Sequence, residues 1–417
     1  MSANFAGDIQ VYTDPSSTGN DTNLIDNQEL MIDQRAEGTV QTSITLALNT
    51  TINQYISDRW IFSVSKRNTG TSGSTDRLVT QRLSADVLGE TGITDKYNTT
   101  LGSVYFDVDN AGYGGFNIFS PSGSGNKALI YQEIEYEKFR QLGWAWAEGK
   151  AVIVSFYYYI LNGGSLTLPA QQMNLFVRST FVNRVYRVPI ATPALSAGTA
   201  SNWIKVTAVI PPPTGNSPAT DWKSGNMRVG ICFFDRTATN NDANTWDTIS
   251  TAEGLSSTYS MSFLSGDDFT TPNCNFFFTK FVVSPVSSEI TPRTLMKELE
   301  LCRRYYEKSY ATLTAYNALG SIPATITYTN ANYYSFASVN RPIYTVNYDV
   351  VKRTNANPVI YNPATGTAGQ MRNIDASTNV SASLQMVGND RFSVLNSGGG
   401  TNGQGITFHY TVNADFV

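Results

Sequence analysis

The chain has 417 residues, of which 15% are charged and 12% aromatic, and it carries a net charge of −4. About a quarter of residues are charged in an ordinary globular protein, so this surface rests on hydrogen-bonding Ser, Thr, Asn and Gly more than on ions. The slightly acidic balance, without a basic stripe, excludes a nucleic-acid binder that works by releasing phosphate counterions.

Residues 1–23 are polar and turn-rich, with Pro15 and Gly19 among several Asp, Asn and Ser. Such a segment buries little and is expected to be an N-terminal arm. Its first ten residues have neither an apolar core nor early basic residues, so no secretory signal is expected. The longest apolar run, 151–161, is too short to cross a bilayer. The expectation is synthesis in the cytoplasm without membrane insertion.

From Leu24 the pattern changes to short apolar runs at 40–48, 60–65, 101–108, 151–161, 173–178, 185–190, 203–210, 227–234 and 276–283. Gly, Pro and Asn clusters such as Asn162-Gly163-Gly164 separate them. Many short strands with this punctuation predict a sandwich of Greek-key or jelly-roll type over 24–290. Cys232 and Cys274 lie in such runs and are expected to be buried free thiols. With Cys302 they make an odd total without metal-ligand spacing, so neither a disulfide framework nor a metal site is expected.

A connecting helix is predicted within 291–316. Thr291-Pro292 supplies a capping hydroxyl and a proline at the first helical position. Leu295, Leu299, Cys302 and Tyr306 then form one apolar stripe through residue 310. Glu300 with Arg304 and Arg303 with Glu307 are spaced for ion pairs along it. After a linker at 317–323, runs at 324–329, 344–351, 358–361, 382–387, 391–395 and 405–412 predict a smaller C-terminal β-sandwich over 317–417. The fold class is therefore all-β: a large jelly-roll or β-sandwich, a connecting α-helix, then a smaller C-terminal β-sandwich.

The chemistry available is narrow. His409 is the only histidine and lies in an alternating run, ITFHYTV, as a structural strand residue. GxSxG, HExxH and P-loop motifs are absent. Paired carboxylates for sugar hydrolysis are Asp107 with Asp109, Glu133 with Glu135, and Asp267 with Asp268. Residues 107–112 have acids at the first and third positions and glycine at the sixth, a fragment of a calcium loop without its distal Glu. No cofactor or metal is expected. Aromatic residues beside Gly-rich turns are candidate sugar-stacking groups: Tyr113 and Phe116 in NAGYGGFNIF, and Trp144 and Trp146 in LGWAWAEGK. The two tryptophans are expected on one side of a strand.

Several stretches fall in an order that resembles a family. Residues 27–39 (NQELMIDQRAEGT) and the later Ser57-Asp58-Arg59-Trp60 resemble the opening of the carbohydrate-binding-module-like jelly roll of phage tail-fibre and related virion proteins. YQEIEY at 131–136, VIVSFYYY at 152–159, NWIKVTAVI at 202–210 and ELELCRRYY at 298–306 continue the similarity. KRTNANPVIYNPATG at 352–366 resembles the small β domain that often follows. The resemblance covers about 27–417. Each stretch also has a plain physical role: Trp60 and Trp203 are expected as core anchors, Arg59 and Asp58 paired at the domain edge, and Gln34-Arg35 satisfying buried polar groups. The resemblance implies a non-enzymatic virion appendage subunit, a homotrimer that engages host-surface glycan and attaches to other virion proteins through residues 1–23. A capsid-decoration protein without ligand and a polysaccharide depolymerase are the alternatives.

Overall fold

The computed structural model describes residues 23–28, 34, 41–45, 50–66, 77–83, 113–117, 127–144, 149–162, 167–179, 184–199, 201–213, 226–235, 243–247, 274–288, 293–309, 327–328, 343–397 and 405–415. Among them, thirteen strands precede the connecting helix. They are β1 (Gln41–Thr45), β2 (Thr50–Ser57), β3 (Trp60–Lys66), β4 (Arg77–Leu83), β5 (Tyr113–Asn117), β6 (Lys127–Ile134), β7 (Val152–Asn162), β8 (Gln172–Ser179), β9 (Val185–Ala191), β10 (Ile204–Ile210), β11 (Met227–Asp235), β12 (Trp246–Asp247) and β13 (Cys274–Ser284). A one-turn helix α1 (Tyr136–Phe139) follows β6.

These strands form two antiparallel sheets, one ordered β1-β4-β5-β13-β7-β10 and the other β12-β9-β8-β11-β6-β3-β2. The last strand, β13, inserts between β5 and β7, an interleaving typical of Greek-key and jelly-roll topologies. Period-two alternation builds the core. Phe156, Tyr158 and Ile160 of β7 face Trp60 and Phe62 of β3 and Val229, Ile231 and Phe233 of β11 in one buried cluster. Trp60 joins the sheets, with its ring 5.0 Å from Phe281 and 5.2 Å from Phe278. Phe281 in turn stacks on Phe156 at 5.2 Å. The register of β13 shifts between Thr279 and Val282, a bulge that carries Lys280 at φ +53°.

Residues 23–28 run beside β13. Leu24 N–H donates to Val283 O at 2.8 Å, and Phe281 N–H donates to Gln28 O at 2.9 Å. The outward face of the seven-stranded sheet holds a second buried cluster of Ile61, Leu129, Tyr131, Phe176, Val185 and Cys232. The outward edge of the six-stranded sheet is more open: Val209 on β10 is 61% exposed.

The connecting helix α2 (Leu295–Arg303) starts later and ends earlier than the sequence pattern suggests. Its cap is Thr294, whose hydroxyl accepts from Lys297 N–H at 3.2 Å; Thr291 and Pro292 lie outside the described residues. Leu299 and Cys302 are buried as the stripe requires. The chain leaves the helix after Arg303 because residues 306–308 pair as strand β14 (Tyr306–Lys308) with a strand near residue 410. That competing ladder also redirects the charges. Glu300 meets Lys297 at 3.3 Å, Arg304 meets Glu135 at 2.9 Å, Arg303 reaches Asp349, and Glu307 holds Lys352 at 2.6 Å. Neither i,i+4 pair forms.

The C-terminal strands are β15 (Thr327–Tyr328), β16 (Ile343–Asn347), β17 (Val359–Tyr361), β18 (Gln370–Asn373), β19 (Thr378–Val387), β20 (Arg391–Asn396), β21 (Ile406–Thr407) and β22 (His409–Asn413). They form a three-stranded sheet, β14-β22-β17, and a six-stranded one, β15-β21-β18-β19-β20-β16. Ile360, Tyr410 and Val412 from the first pack with Tyr344, Val346, Phe392 and Val394 from the second. This is the smaller sandwich, with its own core.

Candidate functional site

Among the described residues, a dense buried polar cluster lies where the helix meets both sandwiches. Asp58 and Arg59 make the tight turn between β2 and β3, with Ser57 paired to Trp60. Arg59 takes φ +73°, unusual for a side-chain-bearing residue, and its guanidinium is fully buried. Its Nη1 donates to Asp415 at 2.6 Å, its Nε to Asp26 at 3.4 Å and its Nη2 to the carbonyl of Glu133. The Tyr305 ring lies 3.4 Å from its Cζ. Asp26 also pairs with Lys138, and its backbone exchanges two 2.8 Å hydrogen bonds with the Gln132 amide. Asp58 accepts from the backbone N–H and the side-chain Nε2 of Gln34, at 3.1 and 2.6 Å. Gln34 thus has its expected role, while Arg35 lies outside the described residues. Arg293 bridges the carbonyls of Asn23 and Ile25 to Glu298. These groups spend their bonding capacity on one another, so the cluster is a joint, not a reaction centre.

Its protonation behaviour follows from the same contacts. Burial alone raises the Asp26 carboxyl, but Lys138, Arg59 and Arg293 outweigh it and hold it below its ordinary 3.8. Burial of Glu135 is likewise outweighed, chiefly by Arg304, and its carboxyl sits below 4.5. The unfolded chain takes up these protons first as pH falls. Stability carried by both groups is therefore complete above about pH 4.5 and lost as pH drops through their folded values. Glu298 has the opposite sign, because burial raises it above 4.5 despite Arg293. Its contribution is complete below 4.5 and lost as pH rises through its raised value. Glu298→Gln is expected to leave the acid decline intact and to flatten the loss above pH 4.5, read from urea midpoints. A wild-type midpoint that does not fall in acid contradicts this account.

The residues singled out from sequence fare differently. Trp144 follows a one-turn 3-10 segment, Arg140–Leu142, and Gly143 at φ +67°. It is not on a strand and is 1% exposed. Its Nε1 donates to Lys150 O at 2.6 Å and its ring meets Trp246 edge-on at 5.5 Å. Trp144 closes one end of the core and has no ring face for a sugar; an aromatic residue beside a Gly-rich turn was not enough to place it outside. Trp146 lies outside the described residues. Tyr113 and Phe116 are on β5, where the ladder sets them opposite Leu83 and Phe276. Glu133 and Glu135 are buried and bound by Arg228 and Arg304, not poised as an acid–base pair. Asp107, Asp109, Asp267, Asp268 and the calcium-like segment 107–112 lie outside the described residues. His409 is buried in β22, its Nδ1 3.2 Å from Ser309 Oγ, and burial lowers its pKa. Cys232 and Cys302 are buried free thiols. Cys274 opens β13.

The surface that sequence reasoning missed is the outward face of β7 and β10. Alternation turns Phe156 and Tyr158 into the core and leaves Tyr157 and Tyr159 half-buried on the other side. The antiparallel register sets Lys205 opposite Tyr157 and brings Trp203 beside Tyr159, with ring centroids 5.4 Å apart. Trp203 is thus a half-buried outer residue, not a core anchor. Thr207 and Val209, farther along the edge strand, are exposed. Lys205 and Lys280 place their ammonium groups 5.7 and 5.9 Å from the centre of the Tyr157 ring. The signal is in the sequence, as the YYY run opposite WIK.

No family model matches the chain, and no curated protein matches its sequence. Comparison with solved structures finds a turret protein of triple jelly-roll fold from an archaeal virus, at 9% identity and a TM-score of 0.20, covering 90% of this chain and 78% of that one. It also finds discoidin II of Dictyostelium discoideum, at 10% identity and 0.15, covering 80% and 98%. The tandem CBM22 domains of Paenibacillus barcinonensis Xyn10C overlap at 9% identity and 0.22, covering 91% of both chains. Overlaps of this size carry no functional argument, and the strand order described above defines the architecture.

Proposed function

We propose that the protein is a non-enzymatic, glycan-engaging subunit of a virion appendage, a homotrimer that attaches through residues 1–23. The observation that carries the glycan reading is the paired rung Tyr159–Trp203 beside Tyr157 on the outward face of the jelly roll. Half-buried aromatic rings present a fixed apolar face with a polar tip, the combination that stacks on the C–H face of a sugar while hydrogen-bonding its hydroxyls. The virion assignment, with synthesis in the host cytoplasm, draws on the ordered similarity of 27–39, 131–136, 152–159, 202–210 and 298–306 to phage appendage proteins. Weak single-site binding becomes effective through three linked copies.

On a glycan array, Trp203→Ala and Tyr159→Ala are each expected to weaken binding about tenfold, equivalent to ~1.4 kcal/mol. Tyr113 and Phe116, on the same sheet, are tested alongside. Retained binding in the Trp203 and Tyr159 variants moves recognition elsewhere. A second reading, a capsid-decoration subunit, is favoured by the exposed apolar side chains of Val286 and Met296 near the start of α2. It expects a flat array and gold label spread over the shell, where the appendage reading expects label at a tail or fibre tip.

A further inference from the structure

We infer that the outward face of β7 and β10 selects acidic, carboxylate-bearing saccharides, a specificity that rests on the glycan-binding reading above. The first observation is compositional and spatial at once. All six strands of that sheet, β1, β4, β5, β13, β7 and β10, lack Asp and Glu. Their charged residues are Arg77 and Arg82 on β4, Lys280 on β13 and Lys205 on β10. A chain with 33 acidic residues against 29 Lys and Arg thus contains a whole sheet without a carboxylate. A surface charged with one sign attracts the opposite sign and penalises its own.

The second observation is local. Tyr157 lies between two ammonium groups, one from each neighbouring strand. Lys205 is delivered by direct register opposite Tyr157. Lys280 is delivered by the bulge, at a positive φ that a lysine seldom adopts, and it is only 7% exposed. A bulge in a strand re-aims a side chain, and here the re-aimed group is a cation beside a ring. The Tyr159–Trp203 rung lies one step along the same face, and successive outward residues on a strand are roughly 7 Å apart. A saccharide stacked on Tyr159 and Trp203 therefore extends along a face whose next ring, Tyr157, is flanked by Lys205 and Lys280. Charge-assisted hydrogen bonds from ammonium to carboxylate are about twice as strong as neutral ones.

The test uses the full chain on an array of uronate and sialyl oligosaccharides, each printed beside its carboxyl-reduced counterpart. The expected result is about tenfold tighter binding of the acidic member of a pair, declining as salt rises. Lys205→Gln is expected to erase that preference, weakening the acidic member about tenfold more than its reduced counterpart, and Lys205→Arg to keep it. Lys205 sits on an edge strand, so these variants should fold; Lys280→Asn, which tolerates the positive φ, gives an independent check from the other side of the ring. Equal binding of acidic and reduced members, or a preference untouched by Lys205→Gln, overturns the acidic specificity and leaves the glycan reading standing if Trp203→Ala still loses both. An array with no bound member overturns both.

Discussion

Arg59→Met is expected to destabilise the protein by about 3–5 kcal/mol, the range for removing one partner from a buried ion pair. The arginine stem is replaced by a side chain of similar bulk, so lost packing is small. What remains is the problem: Asp26 and Asp415 stay buried, their carboxylates at 2% and 0% exposure, without the cation they faced. The Glu133 carbonyl loses a donor and the Tyr305 ring its covering guanidinium. Lys138 still holds Asp26. Arg59→Lys keeps the charge but not the fork that spans three acceptors, and should fall between. Urea denaturation measures both. A loss below about 1 kcal/mol for Arg59→Met would mean the cluster is solvated in solution.

The second large effect is expected at Lys352, where the C-terminal sandwich meets the end of α2. Its ammonium donates to Glu307 at 2.6 Å and to the carbonyls of Arg303 and Val350 at 2.6 and 2.7 Å. Lys352 and Glu307 are 0% and 1% exposed. Glu307 also accepts from the Tyr410 hydroxyl at 2.7 Å. Lys352→Met is expected to cost about 3–5 kcal/mol, because it strands the Glu307 charge. The double variant Lys352→Met with Glu307→Gln should recover at least ~1 kcal/mol of that loss, since the neutral amide still accepts from Tyr410. A double variant that is additive with its singles would mean the two side chains do not share their energy.

The apolar strands were legible because burial on one or both faces leaves a periodic trace: 151–161, 173–178, 185–190 and 227–234 all coincide with observed strands within a residue or two. Polar strands were not. TTINQYIS of β2 and RLVTQRL of β4 lack a clean apolar alternation; β2 is set by its hairpin with β3, and β4 by pairing with β5 some distance along the chain. The helix was recognised but overextended, because Tyr306 fits a helical stripe as well as it fits β14, and a tertiary ladder decided between them. Charge pairing was misjudged for the same reason. Glu300 and Arg304 stand one helical turn apart, yet the arginine bonds a carboxylate 169 residues earlier in the chain. Ring exposure was the least legible property. Trp144 and Trp203 both adjoin turn-like sequence; the turn after the 3-10 segment buries the first, and the β7–β10 register sets the second on the outer face.

The distance along the chain between Arg59 and Asp415 has a kinetic consequence. The two residues are 356 positions apart, and at about 5–20 residues per second of synthesis they leave the ribosome on the order of 20–70 s apart. Throughout that interval the nascent jelly roll carries a guanidinium whose final acidic partner has not yet been made. The first sandwich can collapse early, but its joint to the second closes only once Asp415 has been made, so until then the buried Arg59 site is held without that carboxylate.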